Sequence, residues 1–199
     1  MMISIDFESL ENKESYKLLI GSVVPRPIAF ITSLSENHLL NGAPFSYFNI
    51  VSSVPPLLSV SIRKEGPRPK DTLRNILENK QFVIHLVTEN YLKEVNQSSF
   101  SYSSEISEIE VTHLTPVKSS KISVPGIKEA KIRFECLLEQ TVDLPGSVLI
   151  IGRVVYAHFD DSVYENGKIN LQKLQPISRL AGNDYGKIGE IITMKRPEE

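Results

Sequence analysis

Residues 41–56 read NGAPFSYFNIVSSVPP, and this stretch is polar where the segments on either side are apolar. RPIAFIT (residues 26–32) precedes it and LLSVSI (residues 57–62) follows it. Both flanks are rich in β-branched residues, which favours strands over helices. Between them come small hydroxyl residues, three aromatic residues and the pairs Asn-Gly and Pro-Pro. Such a segment offers backbone N–H groups and flat rings to a ligand.

Composition and charge describe an ordinary globular chain. Its 199 residues are 41% hydrophobic and 23% charged, which is typical of a protein with one sizeable core. The formal net charge is −2, so the broad basic surface that DNA binding requires is excluded. The N-terminus is acidic, and no window approaches the roughly 20 apolar residues of a spanning helix. We therefore expect a cytoplasmic protein that binds neither nucleic acid nor membrane.

Alternation of apolar and polar residues predicts a mainly β chain. Ala43–Val51 is expected to form an irregular strand, because Pro44 cannot donate to a central ladder. Val148–Phe159 is the strongest strand signal, and Gly152 within it indicates a bulge or a close backbone approach. We count about six or seven strands without strand-helix alternation, which predicts an antiparallel barrel or sandwich.

Three other segments carry local predictions. A turn is expected at Asn37 or at Asn41-Gly42, since these residues follow a strand. Residues 72–80 (TLRNILENK) have helical spacing, with Asp71 or Thr72 as the cap. Ser98–Glu110 is rich in serine and glutamate, which predicts a mobile surface excursion.

The sequence contains no pattern typical of a nucleophilic site or a metal site. Cys136 is the single cysteine, which excludes an internal disulfide, and its strand-like setting favours a buried small hydrophobe. The serines of the central stretch have no histidine nearby in sequence, and no Gly-x-Ser-x-Gly elbow is present. No two histidines have metal-ligand spacing; they are His38, His85, His113 and His158. We predict no metal site and no catalytic side chain.

A basic cluster precedes the predicted helix; its members are Arg63, Lys64, Arg68, Lys70 and Thr72. Cations, a hydroxyl and the free N–H groups of a helix N-terminus together favour phosphate binding. A solvated basic loop with an ordinary helix cap is at least as common an arrangement. The cluster alone leaves both interpretations open.

The cluster and the central stretch together predict a mononucleotide site. A phosphate at one end and a planar ring at the other describe a flavin, whose ring is held by backbone amides and aromatic contacts. No Gly-rich dinucleotide fingerprint is present, so a nicotinamide partner would be a visiting substrate. The alternative for Phe45, Tyr47 and Phe48 is plain core packing, which we expect for at least one of them.

Four motifs in this order resemble the flavin reductase-like proteins with the FMN-binding split-barrel fold, in the flavoredoxin-like branch. They are YKLLIGSVVPRPIAFITS, NGAPFSYFNIVSSVPPLLSVSI, KDTLRNI and LQPISRLAGNDY. The resemblance implies a single domain over residues 1–199, folded as a Greek-key split β-barrel with a few short helices. It also implies a homodimer with non-covalent FMN at the subunit interface.

The resemblance assigns cofactor contacts residue by residue. The ring and ribityl chain are expected against Ser46, Tyr47, Phe48, Asn49 and Ser52, beside Thr32 and Ser33. The phosphate is expected at Lys70 and Thr72, with help from Arg26. The segment SRLAGNDY, with Arg179 and Tyr185, resembles a stretch that closes over the site. Family members often have two glycines where this chain has Ala181-Gly182, and the extra methyl would narrow the space there.

The expected activity is FMN-dependent electron transfer from NADH or NADPH to a second flavin, a redox partner protein or a small acceptor. A rival hypothesis is an FMN-binding electron carrier without nicotinamide activity of its own. A third is an interaction module that binds no flavin. The sequence does not separate these hypotheses, because residues around the ring would look alike in the first two.

Overall fold

The computed structural model describes residues 1–64 and 69–197 of the chain. The helices are α1 (Asn12–Ser22), α2 (Asp71–Asn79), α3 (Leu92–Gln97), α4 (Glu108–Val111) and α5 (Leu171–Leu174), with 3₁₀ turns at Phe7–Ser9 and Glu89–Tyr91. The strands are β1 (Arg26–Pro27), β2 (Ala29–Leu34), β3 (Leu40–Phe45), β4 (Phe48–Ser53), β5 (Pro56–Arg63), β6 (Gln81–Leu86), β7 (Pro116–Val117), β8 (Gly126–Ile127), β9 (Ile132–Leu144), β10 (Ser147–Phe159), β11 (Tyr164–Glu165), β12 (Lys168–Ile169), β13 (Ile177–Arg179) and β14 (Tyr185–Lys187). None of the helices in the described ranges is long and apolar enough to cross a bilayer.

The main sheet has seven antiparallel strands in the order β3-β2-β6-β9-β10-β5-β4. Flat, it would hold its two edges roughly 29 Å apart, because neighbouring strands are about 4.8 Å apart. Yet the edge strands β3 and β4 are joined only by Ser46 and Tyr47. Three Cα–Cα steps reach at most about 11 Å. The sheet must therefore curl until its edges approach at this end, which makes an incompletely closed barrel.

The antiparallel barrel predicted from the sequence is confirmed, with a core on each side of its wall. Ala29 and Ile31 of β2 point into the barrel, where they pack with residues such as Ile84 of β6 and Ile150 of β10. Phe30 lies in a second core outside the barrel, under α3 and α4. β2 is thus covered on both faces, which explains its continuous apolar run. This outer core and a third one formed by Ile132, Val163 and Leu174 fix the helices and loops onto the barrel wall.

The central stretch forms two strands and not the one irregular strand predicted. Pro44 lies in β3, at the sheet edge where its missing N–H costs no ladder bond. The chain then crosses to the opposite edge and continues as β4, with a register shift between Ile50 and Ser52. Of the two predicted turn positions, Asn37 is confirmed, because it lies in the turn between β2 and β3, and Asn41-Gly42 is wrong, because both residues lie within β3. Gly42 is needed there for packing, since an added Cβ would lie 2.5 Å from Ile109 Cδ1.

Other local predictions have mixed outcomes. A bulge at Gly152 is confirmed by a register shift between Ile151 and Gly152, and a Cβ there would lie 2.4 Å from Phe82 Cζ. The predicted caps of α2 are wrong, because Lys70 is the N-cap and Asp71 and Thr72 are already helical. The excursion over Ser98–Glu110 is anchored at its end, where residues 107–109 are buried.

Candidate functional site

The β4 strand is an open edge of the barrel. It pairs with β5 on one side only, so the backbone groups of its other side have no strand partner in the described part of the chain. Two of its apolar side chains face solvent, Ile50 at 73% exposure and Val51 at 49%, and Val54 just after the strand is 88% exposed. Asn49 is exposed and Ser52 is half-buried on the same strand. This edge places outward-facing backbone beside apolar surface, and the N–H groups of Ile50 and Val54 donate locally to Asn49 Oδ1 and Ser52 Oγ.

The aromatic residues of the stretch divide between core and surface. Phe45 is buried inside the barrel and Phe48 packs against the same core while remaining half-buried. The core interpretation is therefore confirmed for Phe45. Tyr47 is partly exposed, and its carbonyl accepts a hydrogen bond of 2.8 Å from the Ser61 N–H. Ser46, half-buried, completes the crossing between the two sheet edges.

Tyr47 lies within electrostatic reach of Arg26. Burial and the neighbouring Tyr16 raise the pKa of the Tyr47 phenol, and Arg63 and Arg26 partly offset that effect. The Arg63 guanidinium in turn lies 4.7 Å from the centre of the Tyr16 ring. Two cations and two phenols therefore influence one another electrostatically near the start of β4.

Arg26 is 7% exposed and binds three backbone carbonyls. It donates hydrogen bonds to Ile20 O (2.7 Å), Val23 O (2.6 Å) and Leu180 O (2.9 Å). Its Nε has no partner in the described ranges. These bonds tie α1 to the segment that follows β13. They also bring the SRLAGNDY segment to β1, where Arg179 lies 4.5 Å from the Tyr185 ring centre.

Two predicted residues of β2 are fully buried. The Thr32 hydroxyl donates to Pro125 O at 2.7 Å, and the Ser33 hydroxyl lies 3.3 Å from Asn41 Oδ1. Both hydroxyls are thus bonded within the protein. Their prediction as cofactor-binding residues remains untested, and in this structure they hold the end of β2 in place.

Ser33 belongs to a buried polar cluster where β2, β3, α2 and α4 meet. We call it the Asn41 cluster; its side chains are Ser33, Asn41, Thr72, Asn75 and Glu108. Asn41 lies at its centre, with Oδ1 2.8 Å from the Thr72 hydroxyl and Nδ2 2.9 Å from Glu108 Oε2. The Asn75 amide donates to the Ser33 hydroxyl at 3.1 Å. Asn75 Oδ1 has no partner in the part of the chain that is described.

The carboxylate of the cluster is costly to bury. Burial raises the pKa of Glu108, and the charge of Asp71 adds to that effect. Hydrogen bonds from the Gly42 N–H at 3.2 Å and from Asn41 lower it. A buried carboxylate needs such donors, because unpaired it would lose its hydration without compensation.

The start of α2 carries the predicted phosphate residues. Lys70 is exposed at the N-cap, and Asp71 pairs with Arg74 at 2.6 Å. The Thr72 hydroxyl is occupied by Asn41, so Thr72 would offer an anion its backbone N–H in this arrangement. Arg68, also part of the basic cluster, lies outside the described residues.

The structure places the predicted residues in two groups. Arg26 is near Tyr47 at the β4 edge, whereas Ser33 and Thr72 share the Asn41 cluster beside Lys70. A cavity of about 490 Å³ lies elsewhere, between residues 171–176 and 187–191, and none of the predicted residues lines it. In a single chain the predicted residues are therefore a mixture of exposed groups on the β4 edge and at Lys70 and buried groups behind them.

Sequence reasoning missed Glu108 and Asn75. One signal was present for Glu108: Ser107 and Glu110 have the spacing of a capping box before an apolar residue. The structure confirms a cap there, because Ser107 Oγ accepts from the Glu110 N–H at 3.4 Å. Asn75 carried no such signal, since a mid-helix asparagine usually faces solvent.

Buried titratable groups outside the site have structural contacts. His85 is fully buried, with Nδ1 2.9 Å from Phe30 O and Nε2 3.0 Å from Ile127 N. Burial raises the pKa of the Cys136 thiol, as expected for a small hydrophobe in the core. No cluster of three metal-ligating side chains occurs among the residues described.

Comparison with known proteins gives the family. Residues 20–174 match the flavin reductase like domain. The protein YwrF of Bacillus subtilis, itself uncharacterized, is 48% identical over 198 residues, covering 96% of this chain and 97% of that protein.

Two solved structures are closely similar. Nitrilotriacetate monooxygenase component B from Bacillus cereus has a TM-score of 0.96 and 46% identity, covering 98% of this chain and 99% of that one. The 2-nitrobenzoate 2-nitroreductase NbaA of Pseudomonas fluorescens has a TM-score of 0.90 and 32% identity, covering 98% and 96%. The seven-stranded barrel is the split barrel of flavin reductases. The chain belongs to the flavin reductase-like family, as its motifs predicted.

Proposed function

We propose that the protein is an FMN-dependent oxidoreductase that passes electrons from NADH or NADPH to a second flavin, a redox partner protein or a small acceptor. The observation that carries the proposal is the exposed β4 edge, whose outer side has no strand partner and whose exposed apolar side chains suit a planar ring. Similarity to a monooxygenase component and to a nitroreductase supports oxidoreductase chemistry. When bound, the flavin would supply that chemistry by accepting a hydride and releasing electrons.

In this proposal, residues 46–49 and Ser52 hold the ring and ribityl chain through backbone groups. The crossing between the sheet edges presents them on a rigid frame, because β3 and β4 are each paired along their length. Thr32 and Ser33 stiffen the adjacent strand end through their internal hydrogen bonds. Backbone N–H groups of this edge would steady negative charge on a bound ring without a titrating side chain. The Ile50 N–H would first have to leave Asn49 Oδ1, to which it donates at 2.8 Å.

The phosphate is assigned to Lys70 and the first turn of α2. A lysine and helical N–H groups suit a dianion, because charge and helix dipole act in the same direction. Arg26 lends positive potential from the β1 side, although its guanidinium already binds three carbonyls. The Asp71 carboxylate is partly neutralised by Arg74.

Replacing Lys70 and Thr72 together by alanine is expected to weaken FMN binding by roughly 10- to 150-fold. The loss corresponds to about 1.5–3 kcal/mol for the charge-assisted hydrogen bond from Lys70. Thr72→Ala adds to it only indirectly, by removing the bond to Asn41 that anchors the first turn. Fluorescence titration with FMN measures it. Lys93→Ala with Thr115→Ala, which changes two exposed residues elsewhere, is the matched control and should leave the affinity unchanged. A twofold effect or less in the first variant would mean that the phosphate binds elsewhere.

A homodimer with the flavin at its subunit interface is part of the proposal. The β4 edge is an open surface in one chain, and its exposed Ile50, Val51 and Val54 form an apolar strip. Such a strip on a free strand edge favours association. A second copy would both cover it and enclose the ring.

The function is tested with the purified protein and its bound flavin. We expect a yellow protein whose flavin absorbance is lost on anaerobic mixing with NADH or NADPH. A yellow protein that neither nucleotide bleaches would instead be an electron carrier reduced by another protein. A colourless protein that does not bind added FMN would contradict both assignments and leave an interaction module.

A further inference from the structure

We propose that Glu108 is a positioning residue for the phosphate end of the flavin site, acting through Asn41 on the first turn of α2. The inference rests on the proposed function. Glu108 itself lies on α4, outside every segment to which the family motifs assign a cofactor contact. It is nevertheless linked by side-chain hydrogen bonds to Thr72.

The contacts of α4 hold Glu108 firmly in the barrel wall. The carboxylate is 7% exposed and its Oε2 accepts hydrogen bonds from Asn41 Nδ2 and the Gly42 N–H. The preceding Ser107 hydroxyl donates to Leu40 O at 2.6 Å. Two consecutive residues therefore dock α4 onto β3. Glu108 cannot swing away without exposing these groups.

The carboxylate sets the direction of every hydrogen bond in the Asn41 cluster. An ionised carboxylate accepts only, so the Asn41 amide must turn its NH₂ group to Glu108. Asn41 Oδ1 then faces the hydroxyls of Thr72 and Ser33, and both must donate to it. The Asn75 amide donates in turn to the Ser33 oxygen. The side-chain hydrogen bonds of the cluster thus run from donor to acceptor toward one negative charge.

This order fixes the first turn of α2. The Thr72 hydroxyl is held on the inner side of the helix, so its backbone is anchored beside Lys70. If Glu108 were neutral, the Asn41 amide could adopt either orientation and Thr72 could donate or accept. The first turn would then sample more than one arrangement. Binding an anion there would require ordering the turn, which lowers the affinity.

Stability alone does not account for a charge at this position. A neutral amide or a well-packed apolar side chain is often as stable as a buried ion, because burying charge costs hydration. A carboxylate is the group that imposes one direction on the amide. We therefore assign Glu108 the role of holding the first turn of α2 in one arrangement at the phosphate end.

The test compares FMN with riboflavin, which has the same ring and lacks the phosphate. For Glu108→Gln we expect FMN affinity to fall about tenfold and riboflavin affinity to stay within about twofold. Glu110→Gln, an exposed carboxylate on the same short helix, is the matched control and should change neither. Equal losses for both ligands, or no loss for either, would overturn the positioning role. A merely structural defect would weaken both.

A second variant tests the path through Thr72. In a Thr72→Val background, Glu108→Gln should change the FMN-to-riboflavin affinity ratio by less than about twofold, because the link is already cut. A full tenfold change there would show that Glu108 does not act through Thr72. Wild-type protein that binds neither flavin would contradict the proposed function itself. Wild-type protein that prefers FMN while Glu108→Gln keeps that preference would contradict this inference alone.

Discussion

Between pH 6.5 and pH 4, the protein is expected to lose roughly 3 kcal/mol of stability through His85 alone. Burial lowers the pKa of His85 from 6.5 to about 3, and Arg133 adds to the effect, while a hydrogen bond to Phe30 opposes it. In this pH range the unfolded chain binds a proton at His85 that the folded chain does not. Stability therefore falls as pH falls, by up to about 1.4 kcal/mol per pH unit.

The geometry explains why the folded protein rejects this proton. The neutral ring donates from Nδ1 to Phe30 O and accepts at Nε2 from the Ile127 N–H. A protonated ring would place an N–H against the Ile127 N–H, with no water to separate them. The neighbouring β6 and β8 backbones leave no room to move, since a Cβ on Gly126 would already lie 3.1 Å from Nε2.

Urea unfolding at fixed protein concentration from pH 7 to pH 4 measures the effect. His85→Gln removes the titration and should flatten the curve, although it lowers stability at pH 7. His38→Asn is the control, because His38 is exposed and its backbone φ of 59° suits asparagine. Burial raises the pKa of the Glu135 carboxylate, but hydrogen bonds from Ser120, His158 and Lys121 lower it below its usual value, so it too favours the fold at higher pH. This contribution is the same in all three proteins and cancels in the comparison. Equal pH dependence in wild type and His85→Gln would contradict the prediction.

Introducing charge on β4 should convert the proposed homodimer to a monomer. Ile50→Glu with Val54→Glu places two carboxylates per subunit in the apolar strip, and burying them without partners costs several kcal/mol. The dissociation constant should rise at least about a hundredfold. FMN affinity should fall with it, because the second subunit would no longer cover the ring. Sedimentation velocity over a concentration series, with FMN titration in parallel, measures both.

The substituted side chains are solvent-exposed in one chain, so the fold should survive. Leu171→Glu, an exposed leucine on α5, is the matched control and should leave the assembly unchanged. A double variant that remains dimeric would place the interface elsewhere. A double variant that is monomeric yet binds FMN normally would remove the flavin from the interface.

Much of the barrel was predictable because its signals are local. β9 loosely alternates apolar and polar residues, β10 is a long run rich in β-branched residues, and Gly152 marked the bulge between them. The polar stretch between two β-branched strands, with its aromatic and proline residues, carried the family motif. Such patterns depend on residues a few positions apart, which the sequence shows directly.

The pairings that build the site were not predictable in this way. Asn41 was read as a turn residue, and Glu108 as part of a mobile excursion, yet the two are hydrogen-bonded across 67 positions. Arg26 was assigned to the phosphate, and its guanidinium binds a carbonyl 154 positions away. No local pattern reports a contact of this kind. It arises only when the fold removes both groups from water and each must find a partner.

The sequence by itself therefore determined the fold class, the family and the segment that forms the open β4 edge. Tertiary structure decided that β3 and β4 take opposite edges, that the Asn41 cluster is buried and that Glu108 directs its hydrogen bonds. The physical reason is the separation along the sequence of the residues that interact. Strand formation follows from the alternation of neighbouring side chains, whereas satisfying a buried polar group depends on whichever distant residue the barrel brings beside it.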